Sequence, residues 1–482
     1  YICKKFQDLY KKLLTQTLIY GIGAIAPRII LFILNPLLIY KIPNEGFAMF
    51  TQLYAIISFV NVVLSFGFET AYFRFSAEKG EEKKTFNTSF WFLFGTSTVF
   101  LILCYIFNQP IADYWGYSQH TEYIRWFAQI AFFDTLLVIP FAWLRFNNMP
   151  IKYTVVRVVQ SVFQAIFTAA LFFWIPSKLS ASVGLHNNVD FPFFSNLAAS
   201  ALGFVLLLPI ILKVRFQFDK SLFTRMIKYS FPLMLAGLAF MVNENYDKTI
   251  QRGLISEAEA GAYGGCYKLA VLMTLFVTAY RMGIEPFFFK QMDKGDATKT
   301  YARVAEYFAF FASIVALGII ANIGWLKVKF IPNSSYWIAI DIIPIIIIAN
   351  LCFGIYYNFS TWYKVTDRTK VGTVISWTGA AINVGFNYLA LMYYHSMIGS
   401  AWATFAAYFT MMLISYFLGQ KYYPIPYRIK KMMLILLMLG IFSFVIVRYF
   451  DYDIIYSNIL FVFFVMMILL SEKQLILKLT KR

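Results

Sequence analysis

Fourteen long apolar segments are the feature that most restricts what this chain can fold into. Each comes close to the ~20 residues that a helix needs to cross the hydrocarbon core of a bilayer. They run roughly over residues 15–39, 47–73, 87–107, 123–144, 153–175, 193–212, 229–250, 259–289, 303–325, 338–361, 371–394, 397–419, 429–449 and 454–471. Because hydrocarbon offers peptide groups no hydrogen bonds, such segments cross a membrane as helices. The sequence therefore predicts an all-α polytopic membrane protein with about 14 transmembrane helices.

The composition excludes a large soluble portion. Hydrophobic residues make up 60% of the 482 residues and charged residues only 14%, whereas a soluble domain carries about 25% charged residues. No polar stretch is long enough to form a separate soluble domain. The first apolar segment follows a lysine-rich start but is longer than the apolar core of a signal peptide, so we expect an uncleaved first span.

The lysines and arginines are distributed unevenly between the two sides of the predicted helices. With a cytoplasmic N-terminus, 30 of the 42 lie in inner segments, 7 in outer segments and 5 within spans. Cytoplasmic loops of membrane proteins carry such an excess of cations, so we expect both termini in the cytoplasm. The net charge of +18 then sets topology and favours anionic membrane lipids, and nucleic acid is not an expected partner.

An internal repeat relates the two halves of the chain. Residues 67–74 (GFETAYFR) close the second apolar segment, and residues 283–290 (GIEPFFFK) close the eighth, 216 positions later. Repeats of this kind are typical of transporters built from two similar bundles. For the glutamate and the cation of the motif, the alternative interpretation is that they only anchor a helix end at the membrane interface.

The repeat also predicts the domain organisation. We expect two pseudo-symmetric six-helix bundles at residues 1–213 and 229–420, joined by a cytoplasmic linker at 214–228. Two extra helices and a cytoplasmic tail follow at 421–482. Because each bundle has an even number of spans, the repeats should be parallel and related by an axis along the membrane normal.

The sequence shows no pattern typical of a catalytic or metal site. The four cysteines and three histidines lack metal-ligand spacing. The chain also lacks the glycine-rich loop ending in Lys-Ser or Lys-Thr that binds nucleotide phosphates. We therefore expect no catalytic residue, metal or cofactor, and a transporter rather than an enzyme.

Cations inside predicted spans are the first candidate site residues, because a charge in hydrocarbon is costly unless it faces water or a partner. Arg28 lies well inside the first span, and Lys268 and Arg281 lie in the eighth. With Asn243 of the seventh span, they form the candidate substrate-binding set of a water-filled, cationic cavity. Pro27 could open the helix backbone locally beside Arg28.

The candidates for ion coupling or gating are four carboxylates: Asp134, Glu244, Glu285 and Glu69. Glu244 is the counterpart of Arg28 at the repeat offset. Glu285 follows Arg281 by four residues, so the two share a helix face and could pair. The alternative interpretation is that these carboxylates only neutralise nearby cations.

Five short stretches carry a resemblance to a known superfamily: residues 14–21 (LTQTLIYG), 44–47 (NEGF), 66–74 (FGFETAYFR), 259–263 (EAGAY) and 267–270 (YKLA). They resemble the corresponding parts of bacterial oligosaccharide-lipid flippases, which handle O-antigen and other polysaccharide precursors. These flippases belong to the multidrug/oligosaccharidyl-lipid/polysaccharide exporter superfamily. The resemblance extends over nearly the whole chain.

The resemblance implies a MATE-like, V-shaped pair of bundles with a central cationic cavity in a bacterial inner membrane. It implies that a polyprenyl-pyrophosphate-linked oligosaccharide moves from the inner to the outer leaflet by alternating access, for polysaccharide or lipopolysaccharide assembly. Cations in a wet cavity suit a pyrophosphate, and rocking of one bundle against the other would expose each side in turn. H⁺ or Na⁺ coupling is a candidate energy source, and a glycan polymerase or glycosyltransferase is a candidate partner.

Two other classes of function are compatible with the span pattern. A same-fold exporter could carry lipid II or act as a drug/cation antiporter, although a site for drug cations should be acidic or apolar. A membrane glycosyltransferase or polymerase needs a sizeable outer loop with catalytic acids. The longest predicted outer loop, near residues 177–192, has Asp190 as its single acid.

The cation distribution generates a topology prediction. Reporter fusions at Ser182 and Lys220 should lie on the outer and the inner face, respectively. One predicted span separates the two positions, and the segment before it is poor in cations whereas the segment after it is rich in them. Paired phosphatase and fluorescent-protein fusions measure this directly. A result that puts both positions on the same face contradicts the predicted topology.

Overall fold

The computed structural model describes residues 2–182, 184–292 and 295–471, with the backbone alone described for 2–20 and for 177, 286, 289 and 290. Within these ranges the chain forms helices and short 3₁₀ turns but no strand. Fourteen helical segments of the described residues are long and apolar enough to cross a membrane. They fall at the fourteen predicted positions, so the all-α class and the span count are confirmed.

The chain divides into two units, Tyr1–Asn245 and Tyr246–Arg482, with the boundary inside one helix. The helices up to that boundary are α1 Ile2–Lys41, α2 Asn44–Ser65, α3 Phe68–Ser76, α4 Glu82–Ile106, α5 Asn108–Tyr114, α6 Thr121–Phe146, α7 Pro150–Phe173, α8 Ser177–Ser182, α9 Asp190–Ile211 and α10 Lys220–Ile250. The predicted bundle limits at 213 and 229 stay predictions.

The second unit continues the helical order. Its helices are α11 Glu257–Gln291, α12 Ala297–Ala321, α13 Ile323–Phe330, α14 Ile342–Phe359, α15 Thr361–Val365, α16 Thr369–Met392, α17 Met397–Tyr422, α18 Ile429–Arg448 and α19 Ile454–Ser471. The 3₁₀ turns are Gln251–Gly253 and Ser334–Ala339.

The second span is broken in two where the repeat motif begins. Phe66 (φ 52°) and Gly67 (φ 68°) both adopt left-handed backbone conformations, which end α2 and start α3. A Cβ on Gly67 would lie 3.0 Å from the Ser230 carbonyl oxygen and 3.3 Å from Leu233 Cβ. Glycine is therefore required here by both the backbone angle and the close approach of α10.

Polar contacts at both ends hold α10 antiparallel to α2 and α3. The Asn245 side-chain amide donates a 3.0 Å hydrogen bond to Ser58 Oγ. Near the other end, the Arg225 guanidinium donates to both carboxylate oxygens of Glu78, at 2.6 and 2.7 Å. The seventh span is thus packed into the first unit as far as Asn245.

The second copy of the repeat motif lies in an unbroken helix. Gly283 is an interior residue of α11, which is continuous from Glu257 to Gln291. A Cβ on Gly283 would meet no atom within 4 Å. The two copies of the motif therefore have similar sequences but different backbones.

Polar contacts tie the last two spans to the rest of the second unit. Glu306 on α12 is only 4% exposed, and the Arg428 and Lys431 nitrogens at the start of α18 lie 3.6 and 3.7 Å from its carboxylate. Between α18 and α19, the Tyr452 hydroxyl donates a 2.8 Å hydrogen bond to Asp341. Burial raises the pKa of Tyr452, so the hydroxyl keeps the proton that it donates.

The two repeat glycines provide a matched pair of substitutions. Gly67→Ala should destabilise the protein by about 1–2 kcal/mol, because an L side chain is unfavourable at a left-handed angle. Gly283→Ala should be neutral or stabilising by up to about 1 kcal/mol, because alanine is the better helix former. Thermal unfolding of the two purified variants in detergent measures the difference. Equal melting temperatures would contradict the described break at Gly67.

Candidate charged sites in the membrane spans

In the first unit, the repeat glutamate is bound by a cation from another span. Glu69 lies in the first turn of α3 and accepts a hydrogen bond from Arg145 in the last turn of α6. The Arg145 guanidinium also lies 5.0 Å from the centre of the Phe73 ring. Both partners of the ion pair are about half exposed, at 46% and 42%.

In the second unit, the equivalent glutamate makes an equivalent pair. Lys364 Nζ lies 3.3 Å from Glu285 Oε1 and 3.7 Å from the centre of the Tyr357 ring. The Arg281 guanidinium lies 5.1 Å from the same ring. The partner of Glu285 is therefore Lys364 on α15, and the spacing of four residues from Arg281 does not produce the expected ion pair.

The two ion pairs use corresponding spans of the repeat. Arg145 ends the fourth span of the first half, and Lys364 ends the tenth span, which is the fourth of the second half. In the sequence, both lie just beyond the predicted ends of their spans among the 30 inner cations, and nothing in the local pattern indicates an ion pair. Their role could have been predicted from their position, because each ends a span at the same predicted membrane face as the repeat glutamate.

Asp134 is held between α6 and α9. The Ser200 hydroxyl donates a 2.7 Å hydrogen bond to Asp134 Oδ1, and Asn61 and Arg157 also lie close enough to interact with it. The Arg157 guanidinium stacks 3.9 Å from the centre of the Phe141 ring. Asp134 has no cation within ion-pair distance in the described part of the chain.

Lys268 belongs to a cluster that sequence analysis did not anticipate. Asp247 accepts hydrogen bonds from the Tyr263 hydroxyl at 2.5 Å and from Lys248 Nζ at 3.2 Å. Lys248 Nζ also lies 3.6 Å from the centre of the Tyr267 ring. Lys268 is near enough to Lys248 for the two cations to repel each other. Asp247 therefore binds one of the two lysines, Lys248, and the second, Lys268, lies near the first.

The candidate residues of the first and seventh spans, Arg28, Asn243 and Glu244, differ in their burial. Arg28 is exposed, and α1 stays helical through Pro27, so the expected opening of the backbone is wrong. Asn243 is buried and donates a 3.0 Å hydrogen bond to the Ala239 carbonyl of its own helix. Glu244 is half-buried. An ion pair between Arg28 and Glu244 is the structural alternative to a contact between Arg28 and the substrate.

The two candidate cations of α11 lie at different depths. Lys268 and Arg281 are separated by thirteen residues of one continuous helix, a rise of roughly 20 Å. A single phosphate group cannot contact both, so any shared ligand must be long. The described residues contain no group of three side chains that could hold a metal ion.

Comparison with known proteins decides the family. Residues 13–292, more than half of the chain, match the model of the family described as polysaccharide biosynthesis protein. The chain belongs to this family. The Lsg locus protein 1 of Haemophilus influenzae is 21% identical over 408 residues, which cover 81% of this chain and 95% of that protein.

Solved structures confirm the fold that the resemblance implied. The lipid II flippase MurJ in an inward closed conformation matches with a TM-score of 0.75 and 18% identity over 95% of this chain and 100% of that chain. An inward-facing multidrug resistance MATE transporter of the MOP superfamily matches with a TM-score of 0.65 and 11% identity, over 87% and 96% of the respective chains. Both likenesses are below 25% identity and concern the fold, which is the MATE-like fold that the resemblance implied.

The observed partner of Glu285 generates a prediction. A double-mutant cycle between Glu285→Gln and Lys364→Gln should give a coupling energy of about 0.5–1 kcal/mol, because the pair is close but partly exposed. The matched cycle between Glu285→Gln and Arg281→Gln should give a smaller coupling energy, about 0.2–0.5 kcal/mol, because these two residues share a helix face without forming an ion pair. The free energy of unfolding in mixed micelles measures both. Stronger coupling to Arg281 than to Lys364 would refute the described pairing.

Proposed function

We propose that this protein moves a polyprenyl-pyrophosphate-linked oligosaccharide from the inner to the outer leaflet of a bacterial inner membrane. The transported glycan would serve assembly of surface polysaccharide, with the O-antigen of lipopolysaccharide as the favoured product class. Membership of the polysaccharide biosynthesis family carries this proposal. We propose that both termini are cytoplasmic and that the protein transports its substrate without chemical change, by alternating access.

The in-span cations support an anionic, elongated substrate. Arg28, Lys268 and Arg281 are the proposed contacts for the pyrophosphate and for acidic groups along the glycan, and Asn243 is proposed as a further polar contact. An arginine offers two parallel donors to a phosphate and stays charged at any cellular pH. The separation of Lys268 and Arg281 along α11 suits a substrate whose charged and polar groups extend along the span.

The carboxylates divide into two proposed roles. Glu69 and Glu285 each hold a cation from the fourth span of their own half, which suits a gate or latch that opens when the pair breaks. Among the described residues, Asp134 has no cation within ion-pair distance, and it accepts its hydrogen bond from the neutral Ser200 hydroxyl. We therefore favour Asp134 for H⁺ or Na⁺ coupling, and Glu244 stays a second candidate. We propose a glycan polymerase or a glycosyltransferase as the partner, acting before or after the transport step.

The alternative is a same-fold exporter of another substrate. The match to the lipid II flippase covers 95% of this chain. The unmatched part is shorter than α18 and α19 together, so the match includes at least part of these two helices. This coverage favours lipid II as the second candidate substrate. A drug cation is less favoured, because the in-span cations would repel it.

Substitution of Arg28 tests the proposal. In proteoliposomes that contain a fluorescent polyprenyl-pyrophosphate oligosaccharide, Arg28→Ala should slow transfer between leaflets by roughly tenfold or more, because it removes a charge-assisted phosphate contact. Arg28→Lys should retain part of the rate, because it keeps the charge without the planar fork. Protection of the label from a membrane-impermeant quencher measures transfer.

Two controls make the result decisive. Arg448→Ala removes an exposed arginine at the end of α18 and should leave transfer unchanged. The charge swap Arg28→Glu with Glu244→Arg should stay inactive; restored transfer would mean that the two residues form a latch and that Arg28 does not contact substrate. A wild-type protein that moves fluorescent lipid II but not the polysaccharide precursor would overturn the proposed substrate.

A further inference from the structure

A cationic cavity of 570 Å³ lies in the first unit, and its described lining includes none of the candidate site residues discussed above. It is formed where α4 begins, where α6 and α9 end, and by the loop that follows α9. Its lining includes three cations, Lys83, Lys213 and Arg215, together with Trp143. Glu82 is the one carboxylate among the described lining residues. The balance of charge in the cavity is positive.

The cations of this cavity are not neutralised by neighbouring acids. Across the described residues, none of Lys83, Lys213 and Arg215 makes an ion pair. The Lys213 ammonium lies 5.5 Å from the centre of the Trp143 ring. The Glu82 carboxylate instead accepts a 3.0 Å hydrogen bond from the Asn147 side-chain amide. The positive charge of the cavity is therefore available to an external anion.

The loop that carries two of the cations is fixed on α4 by side chains. Asn87 Oδ1 accepts a 3.1 Å hydrogen bond from the Arg215 backbone N–H, and Trp91 Nε1 donates a 2.9 Å hydrogen bond to the Arg215 carbonyl. The Asp219 N–H donates to Thr88 Oγ1 at 3.2 Å. Three successive contacts to one helix hold the loop backbone, so an anion would bind to a largely preformed site.

Large apolar side chains beside the cavity indicate a membrane interface. Leu212, which lines the cavity, is 74% exposed, and Phe216 in the same loop is 88% exposed. The Phe216 ring packs edge-on against Trp91, with 5.0 Å between ring centres. Such aromatic and aliphatic groups at the end of a span are typical of the headgroup level of a bilayer.

We propose that this cavity binds the phosphate-bearing headgroup of an anionic phospholipid, with the acyl chains lying against the exposed apolar side chains. Basic pockets between transmembrane helices on the cytoplasmic side are known to bind such headgroups. The predicted topology places this end of the spans in the inner leaflet. The lipid is a structural or regulatory ligand here and is distinct from the transported substrate.

Lipid binding to the purified full-length protein tests this proposal. Native mass spectrometry of delipidated protein, titrated with phosphatidylglycerol, should show a bound lipid whose affinity falls roughly tenfold or more in a Lys213→Gln, Arg215→Gln double variant. Glu82→Gln should bind phosphatidylglycerol more tightly, because it removes the opposing negative charge. Phosphatidylcholine, which has no net charge, should bind equally weakly to all variants.

The matched control is a Lys220→Gln, Lys228→Gln double variant, which loses the same charge from exposed positions of α10 outside the cavity lining. It should bind phosphatidylglycerol like the wild type. An equal loss of binding in both double variants would overturn the proposed site. Displacement of the lipid by inorganic phosphate at equal concentration would also overturn the lipid assignment, because the cavity would then serve a soluble anion.

Discussion

The absence of water in the hydrocarbon core is the constraint on which the rest of this structure depends. It forces the backbone into helices, and it forces each charge within a span to find a partner inside the protein. The observed solution is the same at several sites. Arg145, Lys364 and Lys248 each lie between a carboxylate and the face of an aromatic ring. The ring replaces part of the hydration that the cation loses.

The sequence predicted the spans well and the partners of the charges poorly, for a physical reason. Hydropathy is summed along one segment, so each span can be read without knowledge of its neighbours. An ion pair depends on which helices pack together. Arg145 and Lys364 therefore looked like loop cations, although each binds a repeat glutamate. Spacing along a helix predicted an Arg281–Glu285 pair, but a competing ring and a closer lysine on α15 decide the contacts.

The position of the cations along α11 restricts the kind of substrate that the proposed transport function could serve. Lys268 lies near Lys248, which binds Asp247, whereas Arg281 lies against Tyr357 near the other end of the helix. A compact ion would meet only one of these groups at a time. A long glycan attached to a pyrophosphate could exchange one cationic contact for the next, which would lower the barrier to passage through the span.

The break at Phe66 and Gly67 makes the two halves mechanically unequal. In the first half, two left-handed residues separate α2 from α3, so the hydrogen-bond ladder of the helix is interrupted there. In the second half, the same motif lies inside α11, which is helical without a break from Glu257 to Gln291. A duplicated sequence has thus produced two different backbones. One glutamate–cation pair stands beside an interrupted helix and the other on an uninterrupted one, so the two pairs have supports of unequal stiffness.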